Sequence, residues 1–176
     1  KVCCLIIICQ HKVLILRRNH LGPRNKLWEF PGGKQENGED ELTCIKREVM
    51  EEINLKISSA EFFDYIEKEY EDIYIELASY ISHVKEIPKI NLTVHDDFKW
   101  IDPVEFKNYE YPEANKSLLK RLYINYQIFP KILDSIKINY DSIYGYDLPL
   151  IHSSINKLEK YFCLLYTSDA ADDSLR

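Results

Sequence analysis

The chain has 176 residues, 45% of them hydrophobic and 30% charged, which fits one soluble globular domain with a substantial core. Its net charge of −6 argues against non-specific binding to nucleic acid or to an anionic membrane. A phosphate-bearing substrate would therefore need a metal ion or a local group of basic residues. The longest apolar run, Val2 to Cys9, is too short to span a bilayer, and no small-residue cleavage site follows it. Five cysteines (Cys3, Cys4, Cys9, Cys44 and Cys163) have neither metal-ligand spacing nor a disulfide framework, so a reducing, cytoplasmic location is expected.

Val2 to Cys9 reads as a buried strand, Gln10-His11-Lys12 as a turn, and Val13 to Arg17 as the hairpin partner. Residues 19 to 27 form a loop rich in Asn, Gly, Pro and Arg. Leu27 to Phe30 is a short strand that leads into a Pro31-Gly32-Gly33 turn, and its Trp28 and Phe30 are expected in the core. A polar loop then enters a helix. Leu42, Ile45, Val49 and Ile53 form its apolar stripe, while Glu48, Glu51 and Glu52, at i, i+3 and i+4, share another face. Three crowded carboxylates resist full ionisation unless a cation neutralises them, and a hard, oxygen-preferring ion such as Mg²⁺ or Mn²⁺ does so.

Further on, Ser59 to Tyr70 and Ile73 to Val84 read as an antiparallel pair turning at Glu71-Asp72. Asp97 to Ile101 is a strand, and Asp102-Pro103 starts a short helical turn. His95 by itself reads as a structural or surface histidine rather than a ligand. Tyr111 to Lys116 opens an amphipathic helix carrying Leu118, Leu119, Leu122 and Tyr123 on one side.

Residues 28 to 55, WEFPGGKQENGEDELTCIKREVMEEINL, carry the most specific signal. Gly33, Glu39, Arg47, Glu48, Val49, Glu51, Glu52 and Leu55 fill eight of the nine specified positions of G-x5-E-x7-R-E-U-x-E-E-x-G-U, where U is aliphatic. This resembles the Nudix box, with Asn54 in the place of its second Gly. Asn is the next-best residue for the left-handed helix cap that a Gly there suggests, so a small stability cost is expected. The resemblance covers roughly residues 2 to 127, with the domain expected over 1 to 127, and implies the Nudix α/β/α sandwich, a mixed sheet between helices with a loop-helix-loop motif.

The MutT-like branch of that family hydrolyses nucleoside triphosphates to the monophosphate and pyrophosphate. The resemblance implies Mg²⁺ (or Mn²⁺) held by Glu48, Glu51, Glu52 and the Gly32 carbonyl. Arg47 would orient these carboxylates, Glu39 would stabilise the loop, and Glu48 is one candidate general base. It further implies substrate contacts at Arg18 (phosphates), Glu29 and Phe30 (base pocket), Gly33 and Asn115. On spacing alone, Asn115 is only a polar residue in a first helical turn. Beside EFPGG, however, Pro112 to Asn115 resembles the P-x-A-N segment whose Asn amide offers a donor and an acceptor to a purine edge. The expected substrate is 8-oxo-dGTP or a related (d)NTP, with CTP or another nucleoside-diphosphate derivative as rival.

Leu92 to Ile101 resembles the family's E-H-x-x-x-x-W-V segment, but Val94 stands where a Glu often serves as an extra ligand or base. Asp96 or Asp97 could substitute for it. This departure, together with residues 128 to 162, motivates a rival reading from another class: a catalytically quiet nucleotide-binding regulatory module. The intact glutamates argue against it. The 128 to 162 stretch matches no named pattern, holds a possible helix from Ser153 to Phe162, and could begin a truncated second domain. Residues 163 to 176 read as non-native adapter read-through. Leaving out its Asp169, Asp172, Asp173 and Arg176 takes the net charge from −6 to −4. The only methionine is Met50, so the chain is expected to be a fragment or to lack its true start.

Overall fold

The computed structural model describes residues 1–20 and 22–128, the side chains of 127 and 128 excepted. The expected helix at Ser153 to Phe162, the possible second domain and the 163 to 176 tail lie outside the described residues. The elements in chain order are β1 (Val2–Cys9), β2 (Lys12–Arg18), β3 (Trp28–Glu29), β4 (Gly32–Lys34), α1 (Glu41–Ile53), β5 (Glu61–Glu69), β6 (Tyr74–His83), β7 (His95–Ile101), a 3₁₀ helix (Pro103–Asn108) and α2 (Glu113–Tyr123).

The strands form one mixed sheet in the order β3-β2-β1-β6-β5, with β4 also on β1 and β7 also on β2. β1 and β6 are parallel, from Val2 opposite Leu77 to Ile8 opposite His83, and the other pairs are antiparallel. β1 is apolar at every position because it is buried on both faces. Its Cys3, Leu5 and Ile7 pack with Cys44, Ile45, Val49 and Ile53 of α1. Its Cys4, Ile6 and Ile8 pack in a second cluster with Ala114, Leu118, Leu119 and Leu122 of α2. The two helices thus cover opposite faces of the sheet, as the expected α/β/α sandwich requires.

Some expectations are corrected. Gly32 and Gly33 do not form a turn; they belong to β4, with Cys3 opposite Gly33 and Cys4 opposite Gly32. The reason is that β2 pairs with β1 only at Ile8 and Cys9, which leaves the start of β1 with unused backbone groups that β4 satisfies. Leu42 is 37% exposed and drops out of the helix stripe, and Cys44 takes its place in the core. β7 begins at His95, two residues earlier than expected. Cys3, Cys4, Cys9 and Cys44 are buried free thiols. Among the described residues, no helix is long and apolar enough to cross a membrane.

Candidate active site

A cleft of about 730 Å³ opens where β2, β3, β4, β7, α1 and α2 meet, lined among others by Arg18, Glu29, Phe30, Gly32, Gly33, Glu52, His95 and Asn115. Phe30 is 3% exposed and belongs to the α2-side core, so it serves both the core and the cleft wall. Asn115 lies in the first turn of α2, buried, with its backbone N–H donated to the Pro112 carbonyl.

The loop between β4 and α1 is tied down by one guanidinium. Arg47 Nε donates to Glu39 Oε1 at 2.9 Å and Nη2 to Oε2 at 3.0 Å, a bidentate pair of the geometry that a planar fork favours. Nη1 reaches Glu48 Oε1 at 2.9 Å and Glu51 Oε2 at 3.2 Å, and Nη2 reaches the Lys34 carbonyl at 3.1 Å. The Glu39 carboxyl is held below the usual carboxylate range by Arg47, and the Arg47 guanidinium is raised in turn.

The three glutamates share a helix face but meet different surroundings. Glu48 lies over Gly33, where an added Cβ would come within 2.3 Å of its carboxyl carbon. Glu52 is half-buried, its side chain 12% exposed, and it accepts the Gly32 N–H at Oε2, 2.9 Å. Burial pushes the Glu52 carboxyl up to about 7, against the opposing pull of His95 and the Gly32 N–H. Glu51 instead has a 59% exposed side chain, held by Arg47 on the rim, and does not line the cleft.

His95 is a buried histidine and not a surface one. Its side chain is 3% exposed; Nε2 lies 3.1 Å from Glu29 Oε1 and Nδ1 lies 4.0 Å from Glu52 Oε1. Arg18 pairs with the other oxygen of Glu29. The cause is a bulge: Arg17 faces Asp97 and Arg18 faces His95, so Asp96 is an extra residue that shifts the alternation of β7 by one. Asp96 is turned instead to Arg17 and Lys26. Val94 lines the cleft but its side chain offers no oxygen, and neither Asp96 nor Asp97 lines it. No sequence signal marks a bulge at this point, so the position of His95 was not legible.

Among the described residues, no three His, Cys, Asp or Glu side chains stand close enough to cage a metal ion. The donors at hand, Glu48, Glu52 and the backbone oxygens of β4, still fit a hard divalent cation, which takes one or two carboxylates and shares its remaining positions with water and phosphate. The buried Glu52 carboxylate supports that fit, since a nearby cation would relieve the burial that resists its ionisation.

A family model described as "NUDIX domain" matches residues 1–122. An 8-oxo-dGTP diphosphatase of Buchnera aphidicola subsp. Acyrthosiphon pisum is 27% identical over 116 residues, covering 66% of this chain and 90% of the relative. A CTP pyrophosphohydrolase of Escherichia coli is 27% identical over 124 residues, covering 68% and 88%. The crystal structure of a MutT protein from Methanosarcina mazei Go1 superposes with a TM-score of 0.64 at 18% identity, covering 72% of this chain and 94% of that one, and so shares the fold. The family match spans well over half of the chain and includes the Arg47-centred loop and the glutamate helix beneath the cleft, and the chain belongs to the NUDIX domain family as a MutT-like hydrolase.

Proposed function

We propose that this hydrolase converts a nucleoside triphosphate to the monophosphate and pyrophosphate with Mg²⁺, and that 8-oxo-dGTP is its preferred substrate. The observation that carries the reading is a single cleft lined by Phe30 and Asn115 as well as by Arg18, Gly32 and Glu52. Base recognition and phosphate chemistry can therefore act on one bound nucleotide. The relatives named for 8-oxo-dGTP and CTP support the reaction class and mark CTP as the main rival substrate.

Glu48, Glu52 and the Gly32 carbonyl, with Glu51 at the rim, would hold Mg²⁺, which polarises a phosphoryl oxygen and lowers the pKa of the attacking water. Glu48 would accept the water proton as the water oxygen bonds to one phosphorus of the α–β anhydride; the bridging oxygen leaves with the other, giving the monophosphate and pyrophosphate. Arg47 fixes the carboxylates and Glu39 fixes the loop that precedes them. Arg18 contacts the phosphates, Gly33 lines the cleft beside the substrate and leaves room for the Glu48 carboxylate, Phe30 and Glu29 shape the base pocket, and the Asn115 amide pairs with the purine edge.

One observation favours a second reading, a nucleotide-binding module without turnover: Val94 leaves the cleft without the extra carboxylate. The test is Mg²⁺-dependent pyrophosphate release across 8-oxo-dGTP, dGTP, CTP, ADP-ribose and diadenosine polyphosphates, with Glu52→Gln as control. Fastest release from 8-oxo-dGTP, lowered at least about 100-fold in the control, is expected. Faster release from CTP would reassign the substrate, and binding without release from any compound would establish the quiet module.

A further inference from the structure

The connection between Arg18 and Glu52 passes through one imidazole. Arg18 bonds Glu29, Glu29 Oε1 lies 3.1 Å from His95 Nε2, and His95 Nδ1 faces Glu52 Oε1 at 4.0 Å. A carboxylate accepts, so Nε2 carries the proton of the Glu29 bond. Nδ1 is buried without a hydrogen-bond partner, an arrangement that costs stability and that core packing alone does not explain. The β7 bulge that turns His95 inward also removes Asp96 to the outer surface, so the local backbone irregularity serves to place this ring between the two carboxylates.

We propose that His95 is a positioning residue of the hydrolytic site: its ring, fixed by the Nε2 bond to Glu29, spaces Glu29 from Glu52 so that Glu52 meets a divalent cation in one orientation. This deepens the reading of the cleft as a metal-dependent hydrolase site and rests on it. His95 acts through Glu52, as outer partners of ligating carboxylates do, and losing such partners costs about 10- to 100-fold in metal affinity or activity.

The experiment uses the full chain, stripped of metal with a chelator and titrated with Mn²⁺ by electron paramagnetic resonance, followed by steady-state pyrophosphate release. His95→Leu keeps the bulk and loses both nitrogens. His95→Gln keeps an N–H donor for Glu29. The leucine variant should weaken Mn²⁺ binding about 10-fold and lower kcat about 10- to 100-fold, with KM within about threefold of wild type. The glutamine variant should recover most of both losses. Equal losses in the two variants, or a leucine variant within about twofold of wild type, would overturn the proposal.

Should His95→Leu fail to fold, a double-mutant cycle of His95→Gln with Glu29→Gln decides the matter. Coupling of at least about fivefold in Mn²⁺ affinity is expected, and additive losses overturn the idea. The two readings separate cleanly. Mn²⁺ binding that depends on His95 in a protein that hydrolyses no triphosphate sinks the proposed function alone. Triphosphate hydrolysis untouched by His95→Leu sinks the positioning role alone.

Discussion

Gly32 and Gly33 are neighbours in the motif, but glycine is required at each for a different reason. At Gly32 a Cβ would lie 2.2 Å from the Cys3 carbonyl oxygen and 2.6 Å from the Cys4 Cα, and φ is +150°. The obstruction is backbone inside a sheet, which cannot step aside. Gly32→Ala should therefore cost about 3 kcal/mol or more of stability in urea unfolding. At Gly33 φ is not in the left-handed region, and the obstruction is the Glu48 carboxylate, the end of a flexible side chain. Gly33→Ala should unfold within about 1 kcal/mol of wild type, yet lose at least about 10-fold in kcat because Glu48 must move. A Gly33→Ala variant with full activity would show that the Glu48 position observed here is not needed for turnover.

At the scale of elements, α1 connects the motif to the core. Asp40 caps it, with Oδ1 accepting the Thr43 N–H and Oδ2 the Thr43 hydroxyl, each at 2.9 Å. Asn54 ends it in the left-handed conformation, φ 53° and ψ 42°, donating its N–H to the Met50 carbonyl. The Asn that departs from the family pattern thus performs the turn a Gly would. Asn54→Gly should change stability by no more than about 0.5 kcal/mol, since relief of the left-handed backbone is offset by greater unfolded-state freedom. Asn54→Ala should cost about 1 kcal/mol in the same urea experiment. Beyond Asn54, the chain at Asn91 and Thr93 bonds back to the Ile53 and Glu52 carbonyls, so the helix end also secures the segment that enters β7.

Over the whole molecule, global stability is linked to the site through Glu52. Its carboxyl has an ordinary value of 4.5 and is raised to about 7 by burial in the folded protein. Below about pH 4.5 it is protonated folded and unfolded alike, and ionisation takes nothing from stability. Between 4.5 and 7 only the folded state keeps the proton, so native stability falls as pH rises through that window, by up to about 3 kcal/mol. Urea unfolding of chelator-treated protein at pH 5 and pH 8 should show this loss, and Glu52→Gln should abolish the Glu52-dependent part of it. Adding a divalent cation at pH 8 should restore stability in the wild type, because the ion binds the folded state preferentially.

What the sequence determined by itself is local or periodic. The all-apolar run of β1 implies burial on both faces, the glutamates at i, i+3 and i+4 place carboxylates together on one side of α1, and the motif spacing identifies the family. Asn54 marks the end of the helix. The tertiary structure decided what depends on strand register and on contacts between distant segments. The Pro-Gly-Gly stretch became a strand because β2 leaves the start of β1 unpaired. Glu51 went to the rim and Glu52 into the cleft, although the helix treats them as neighbours. His95 reached Glu29, 66 residues away, only through a bulge that no composition or periodicity records. Hydrophobic periodicity is a property of single elements, whereas the meeting of two carboxylates across one imidazole is set by register, which one residue more or less in a strand reverses.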